Sequence, residues 1–306
     1  MPVSTDTPAP EDKAAPDRVN GIVWVASYPK SGNTWIRAFL HNLFDILGGA
    51  DTREHDINAI NEFTAWDLSA QRYEPLLGKL VIQATRAEIA AARPKVQAEM
   101  ADNTQGLALV KTHHALVTDR GYPTINLKVT SGAIYVVRNP LDVAISFAHH
   151  MGVDLDTAIA RMAEANTETA VTDTQVYEVY GSWSQNVESW TARPHRAIHV
   201  LRYEDMLEKP IVTFGALARH LLLTPNAVQL IEAIDRASFR NLQRQEAKNG
   251  FREKPDSAET FFRVGKAGQW KDVLNRRQIR RIVEAHAPQM RRFGYLTDDL
   301  AHLAKD

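Results

Sequence analysis

Four short apolar runs punctuate the chain, and each ends in polar residues able to bind or react. Val23-Trp24-Val25-Ala26 leads into Ser27-Tyr28-Pro29-Lys30-Ser31-Gly32-Asn33-Thr34-Trp35, and Leu107-Ala108-Leu109-Val110 into Lys111-Thr112-His113-His114. Ala133-Ile134-Tyr135-Val136-Val137 leads into Arg138-Asn139-Pro140, and Ala197-Ile198-His199-Val200-Leu201 into Arg202-Tyr203-Glu204-Asp205. Runs this short and apolar read as strands buried on both faces. Helical patterns separate them. After the first run, Trp35, Ile36, Phe39, Leu40, Leu43, Phe44 and Leu47 fall on one helical face, so a helix begins inside the turn.

Further helices are predicted over residues 140–150, with proline near the start, and over 174–190. Another covers 210–222, with Ile211, Phe214, Leu217, Ala218 and Leu221 on one face; the next is capped by Thr224-Pro225 and runs to about Arg236. The last spans 275–293, with Ile279, Ile282, Val283 and Met290 inward. Strands alternating with helices predict an α/β fold: a P-loop-like parallel sheet of about four or five strands flanked by helices on both faces. The polar groups then gather beyond the C-terminal strand ends, where open α/β sheets bind ligands.

Two stretches are less regular. Residues 51–100 read as loops and helical pieces, over 56–63 and 85–100, covering one edge of the core; Phe63, Trp66 and Tyr73 are its aromatic candidates for reaching a ligand. Residues 237–269 form a long, basic, irregular stretch carrying Arg240, Arg244, Lys248, Arg252, Lys254, Arg263 and Lys266, and a loop of that length is expected to be a functional lid or partly disordered. The last residues, 300–306, add little.

Composition narrows the functional classes. A net charge of -1 over 306 residues gives no global field for nucleic acid or acidic membrane, so any anion site is local. The absence of cysteine excludes disulfides and thiolate metal sites and fits a reducing compartment. Residues 1–20, with prolines at 2, 8, 10 and 16, read as a disordered tail before a single domain over 21–300. That tail is no signal peptide, and no later segment approaches 18 consecutive apolar residues, so a soluble, cytoplasmic protein is expected.

The first loop is a local anion site on physical grounds. The opening N–H groups of a helix lack intrahelical partners, and Ser31, Gly32, Asn33 and Thr34 let the chain aim them at one point beside the Lys30 charge. An ordinary phosphate loop reads Gly-x4-Gly-Lys-Ser/Thr, whereas here the lysine precedes the glycine and no first glycine exists. That order argues against an ATPase or GTPase loop.

The order Tyr28-Pro29-Lys30-Ser31-Gly32-Asn33-Thr34-Trp35 instead resembles the 5'-phosphosulfate loop of the cytosolic-type sulfotransferases, which use 3'-phosphoadenosine 5'-phosphosulfate (PAPS). Lys111-Thr112-His113 is similar to that family's Lys-Thr-His segment. Arg138 to Ser146 resembles its 3'-phosphate motif, with the same eight-residue interval. Residues 262–271, Phe-Arg-Val-Gly-Lys-Ala-Gly-Gln-Trp-Lys, resemble its C-terminal segment, and Tyr203-Glu204-Asp205-Met206 its Tyr-Glu-Asp-Met stretch.

The resemblance implies His113 as general base, Lys30 stabilising the leaving phosphate, and Lys111 holding the transferred group or acceptor. It implies a nucleotide site made of Lys30, Ser31, Gly32, Asn33, Thr34, Trp35, Arg138, Ser146, Tyr203, Ser238, Phe239, Arg263, Val264 and Gly265. Paired guanidinium donors suit a phosphate, and an imidazole titrating near neutrality suits a proton acceptor, although His114, His149 and His150 compete with His113 on composition alone. PAPS is then the co-substrate, adenosine 3',5'-bisphosphate the product, and no metal is needed. The partner is a small-molecule or lipid-like acceptor with a hydroxyl, an amine being the other option; the oligomeric state stays open, a homodimer included. Two departures stand out: Val264 replaces a common lysine, and Asn33 a common threonine. The competing readings are a P-loop small-molecule kinase and a non-catalytic nucleotide-binding protein of the same fold.

Overall fold

A computed structural model describes residues 20–49, 56–255 and 258–303. The predicted tail therefore lies outside the described residues, apart from Asn20, whose Oδ1 accepts the Gly106 N–H at 3.1 Å. Five strands form the main sheet: β1 (Gly21–Ser27), β2 (Ala65–Trp66), β3 (Leu107–Thr112), β4 (Thr130–Val137) and β5 (Ile198–Arg202). Their order is β2-β3-β1-β4-β5, every adjacent pair parallel. The mixed α/β architecture expected from the alternating pattern is the one observed.

The period of two divides each inner strand between two cores. Ile22, Trp24 and Ala26 of β1, with Ala133, Tyr135 and Val137 of β4, face one layer; Val25, Ile134 and Val136 face the other. The first layer contains α2 (Arg86–Asp102), α3 (Pro140–Met151), α4 (Trp183–Thr191) and α8 (Arg276–Arg292). The second contains α1 (Asn33–Leu47), α5 (Pro210–His220), α6 (Ala227–Arg236) and α7 (Phe239–Asn249), with the Phe39 and Phe214 rings 4.2 Å apart at its centre. Register then aligns the strand ends. Val25 pairs with Lys111, Ser27 with Val136, Val137 with Arg202 and Trp66 with Lys111, so the residues that follow gather along one edge.

Several expectations need correction. The helix expected over 174–190 begins only at Trp183, because Ser182 and Gln185 form a reciprocal capping box there. The chain before it is extended, with bridges pairing Ser69 with Gln175 and Glu168 with Val179. Residues 237–269 are not wholly irregular, since α7 occupies residues 239–249 with Leu242 buried. Helix α6 is capped by Asn226, boxed with Gln229, rather than by Thr224-Pro225. Phe44 and Ile211 are exposed despite their helical spacing, whereas Leu300 and Leu303, near the end of the chain, are buried in the core.

Candidate active site

Beyond the strand ends lies a cavity of about 470 Å³, a size usual for ligand pockets. Of the residues singled out in the sequence, Lys30, Gly32, Asn33, Thr34, Trp35, Lys111, His113, Arg138, Ser146, Tyr203, Phe239, Arg263, Val264 and Gly265 line it. Ser31 and Ser238 do not. The hydroxyls of both are buried and lack a partner among the described residues. Trp66 also lines the cavity, but Tyr73 is wholly core and Phe63 packs against His41 and Phe44.

The first loop is built by backbone geometry. Lys30 (φ 65°) and Gly32 (φ 112°) are both left-handed, and a Cβ at Gly32 would come within 2.8 Å of the Tyr203 ring. The Asn33 amide donates to the Val25 carbonyl at 2.8 Å, tying the helix start to β1. Arg138 braces the loop from β4: Nη1 donates to the Lys30 carbonyl at 3.1 Å, Nη2 to the Lys266 carbonyl at 3.3 Å, and the guanidinium lies 4.2 Å above the Tyr203 ring. Its Nε and the Trp35 Nε1 are buried donors without partners among the described residues, and both residues line the cavity. Such orphans fit a ligand rich in acceptor atoms, as a nucleotide bisphosphate is.

The C-terminal segment closes over this end. Asp142, at the start of α3, accepts the Gly268 N–H at 2.7 Å and the Trp270 N–H at 3.1 Å. These bonds fix the turn that follows Arg263 and Gly265. Gly265 has φ 62°, and a Cβ there would lie 2.3 Å from the Phe239 ring, so only glycine fits.

At the other end His113 is held at three points. Its main-chain N–H donates to Glu178 Oε1, its carbonyl accepts Asn186 Nδ2 at 2.9 Å, and its Nδ1 lies 2.8 Å from the Ser27 carbonyl. A carbonyl only accepts, so Nδ1 carries the proton and Nε2 keeps its lone pair. Burial, reinforced by the Lys111 charge, holds the imidazole well below its ordinary pKa and therefore neutral. His114 is buried in the wall and its Nδ1 accepts the Val179 N–H, His149 is exposed, and His150 lines the cavity. Glu178 is itself pushed up to about 7, chiefly by burial.

Lys30 Nζ lies 3.8 Å over the Phe261 ring, and burial, aided by Arg138 and Lys111, lowers its pKa to about 7. A bound anion raises that pKa again. Below pH 7 the ammonium is already present and this group makes binding independent of pH; above pH 7 the ligand must recruit a proton. We expect anion affinity to fall roughly tenfold per pH unit above 7, with proton uptake, until the pKa of the bound state is reached. Calorimetric titration at pH 6, 7, 8 and 9 in buffers of different ionisation enthalpy checks this.

Two lining residues, Glu178 and Glu253, lay outside every motif, and Asp142, inside the Arg138–Ser146 segment, was not singled out for the turn it anchors. Glu253 accepts Arg37 Nη1 at 2.6 Å and faces Lys111 Nζ at 3.9 Å. Among the described residues no group of three or more His, Asp or Glu side chains is arranged to hold a metal ion, and no helix is long and apolar enough to cross a membrane.

Residues 21–294 match the family model described as the sulfotransferase domain. Sulfotransferase 1A1 of Canis lupus familiaris is 25% identical over 283 residues, covering 88% of this chain and 83% of that protein. The flavonol 3-sulfotransferase of Flaveria bidentis is 27% identical over 279 residues, covering 85% and 78%. A crystal structure of mouse sulfotransferase SULT7A1 complexed with PAP shares the fold, with a TM-score of 0.61 at 18% identity over 93% of this chain and 89% of that one.

Proposed function

From the premise that the chain belongs to the sulfotransferase domain family, we propose that it moves the sulfuryl group of PAPS onto a hydroxyl of a small acceptor, with His113 as base and Lys30 at the leaving phosphate. One observation carries this reading. A single cavity is lined at once by the Lys30 loop, by Lys111 and His113, by Arg138 and Ser146, and by Arg263 and Gly265.

In this reading the new bond joins the acceptor oxygen to sulfur, and the bond from sulfur to the 5'-phosphate oxygen breaks. His113 Nε2 takes the hydroxyl proton, which its neutral ring and its Nδ1–H to Ser27 leave it able to do. Lys30 neutralises the charge that builds on the phosphate, assisted by the N–H groups at the start of α1. Lys111 steadies the sulfuryl oxygens. Arg138, Ser146, Arg263 and the Gly265 backbone hold the 3'-phosphate, and Tyr203, Phe239 and Trp35 hold the adenine. Positioning and electrostatics do most of the work, as in phosphoryl transfer.

The test is calorimetric titration with adenosine 3',5'-bisphosphate and with ADP in chelator. The bisphosphate should bind at least about tenfold more tightly, the worth of one charge-assisted phosphate contact. The preference should vanish in Arg138→Ala. Equal affinity in the wild type, or no binding of the bisphosphate, would return the kinase reading to first place.

A further inference from the structure

Glu253 lies in a stretch that no motif covers, yet its carboxylate reaches the reacting end of the cavity. The two oxygens differ in duty. Oε1 accepts Arg37 Nη1 at 2.6 Å, and Arg37 is fully buried, its other donors spent on Thr64 Oγ1 at 2.6 Å, Asn61 Oδ1 at 2.9 Å and the Ile60 carbonyl at 3.3 Å. Oε2 lies 3.9 Å from Lys111 Nζ, an ion pair too long for a hydrogen bond. Among the described residues no hydrogen bond to Oε2 is made.

The carboxyl is nonetheless charged. Lys111 and Arg37 outweigh the effect of burial and hold it down at about 2. Lys30, His113 and His150 face it from the other walls, and Arg252 precedes it on its own segment. The same cavity is lined by the apolar Trp66, Leu68 and Phe261 beside the polar Thr169, Gln175 and Tyr180. An ionised oxygen on a cavity wall, lacking a hydrogen-bond donor, is costly to cover with hydrocarbon and repels an anion. It is satisfied by a donor.

Building on the function proposed above, we infer that Glu253 is a specificity-determining residue whose Oε2 receives a second hydrogen-bond donor of the acceptor. The preferred acceptors are then polar molecules carrying a hydroxyl or protonated amine close to the hydroxyl that is sulfated, rather than purely apolar phenols or lipid-like alcohols. Trp66 and Phe261 supply faces against which a flat acceptor can lie, and Arg37 fixes the carboxylate by holding Oε1.

Catechol and phenol are the probes, differing by one donor. We expect the wild type to show kcat/KM at least about tenfold higher for catechol, as sites built to pair a donor reject analogues lacking it. Glu253→Gln keeps the shape and an oxygen for Arg37 but loses the charge, and should bring the two acceptors to within about threefold by slowing catechol alone. Glu253→Asp should restore part of the preference. Affinity for adenosine 3',5'-bisphosphate should be the same in all three. A wild type that turns over both probes equally, or a Glu253→Gln variant that keeps the wild-type preference, overturns the inference while leaving the sulfotransferase reading intact. If Glu253→Gln does not fold, the wild-type ratio alone decides. Failure to consume PAPS with any acceptor sinks the functional reading itself, and this inference with it.

Discussion

His113→Ala should lose between about 10² and 10⁴ in kcat while keeping its affinity for adenosine 3',5'-bisphosphate, because a positioned general base contributes that much and does not hold the nucleotide. The ring is placed by Ser27, Glu178 and Asn186 through contacts that mostly involve the main chain. Removing the side chain therefore leaves the backbone clamps and the nucleotide end undisturbed. His114→Ala is the control. Its imidazole accepts the Val179 N–H inside the wall, so the variant should lower the melting temperature with little effect on kcat beyond that. The measurement is a single-turnover rate at saturating PAPS beside a calorimetric titration. A His113→Ala variant with unchanged rate would remove the histidine from the chemistry.

Lys30→Ala should cost on the order of 10² to 10³ in kcat, the scale seen when one preorganised charge facing a developing anion is removed. The ammonium lies over Phe261 in this structure and is not paired with a carboxylate within 4 Å among the described residues, so its loss breaks no ion pair. It also carries a signature that a structural lysine would lack. With its pKa lowered to about 7, the wild type should take up a proton on binding the nucleotide above neutrality, and Lys30→Ala should not. Lys30→Arg tests shape: it keeps the charge but cannot present it as a compact point, so partial rescue is expected. A variant that keeps both the rate and the proton uptake would contradict the role.

Much of this architecture was legible because the chemistry sits where strands end. Apolar runs of four or five residues gave the four long strands, and the parallel order brought Lys30, His113, Arg138 and Tyr203 to one edge, as alternating strands and helices require. Helix boundaries were read less well where periodicity competed with caps. The signal was present for α4, since Ser182 followed three residues later by Gln185 is a start mark, and it lies inside the helix expected over 174–190. The two-residue β2 was illegible, being held only by its pairing with Val110 and Lys111.

The misses at the site have a different origin. Glu253, Arg37 and Glu178 lie far apart in sequence and meet only after folding, so no local spacing marks them. Arg37 stands in the first turns of α1, where a charge reads as solvent-facing; burial follows from the segment that brings Glu253 onto it. Ser31 and Ser238, which the family resemblance names as nucleotide contacts, do not line the cavity but keep buried hydroxyls without a partner among the described residues. Asp142 had a reason visible only in three dimensions, namely the two N–H groups of the closing turn.

The most direct test of the central claim is product analysis of the wild-type chain with PAPS, a catechol acceptor and chelator, run beside His113→Ala. The account predicts adenosine 3',5'-bisphosphate and sulfated acceptor in equal amounts, with neither accumulating at the same rate in the variant. Intact PAPS after prolonged incubation across a panel of hydroxyl and amine acceptors, with the nucleotide bound throughout, would contradict it.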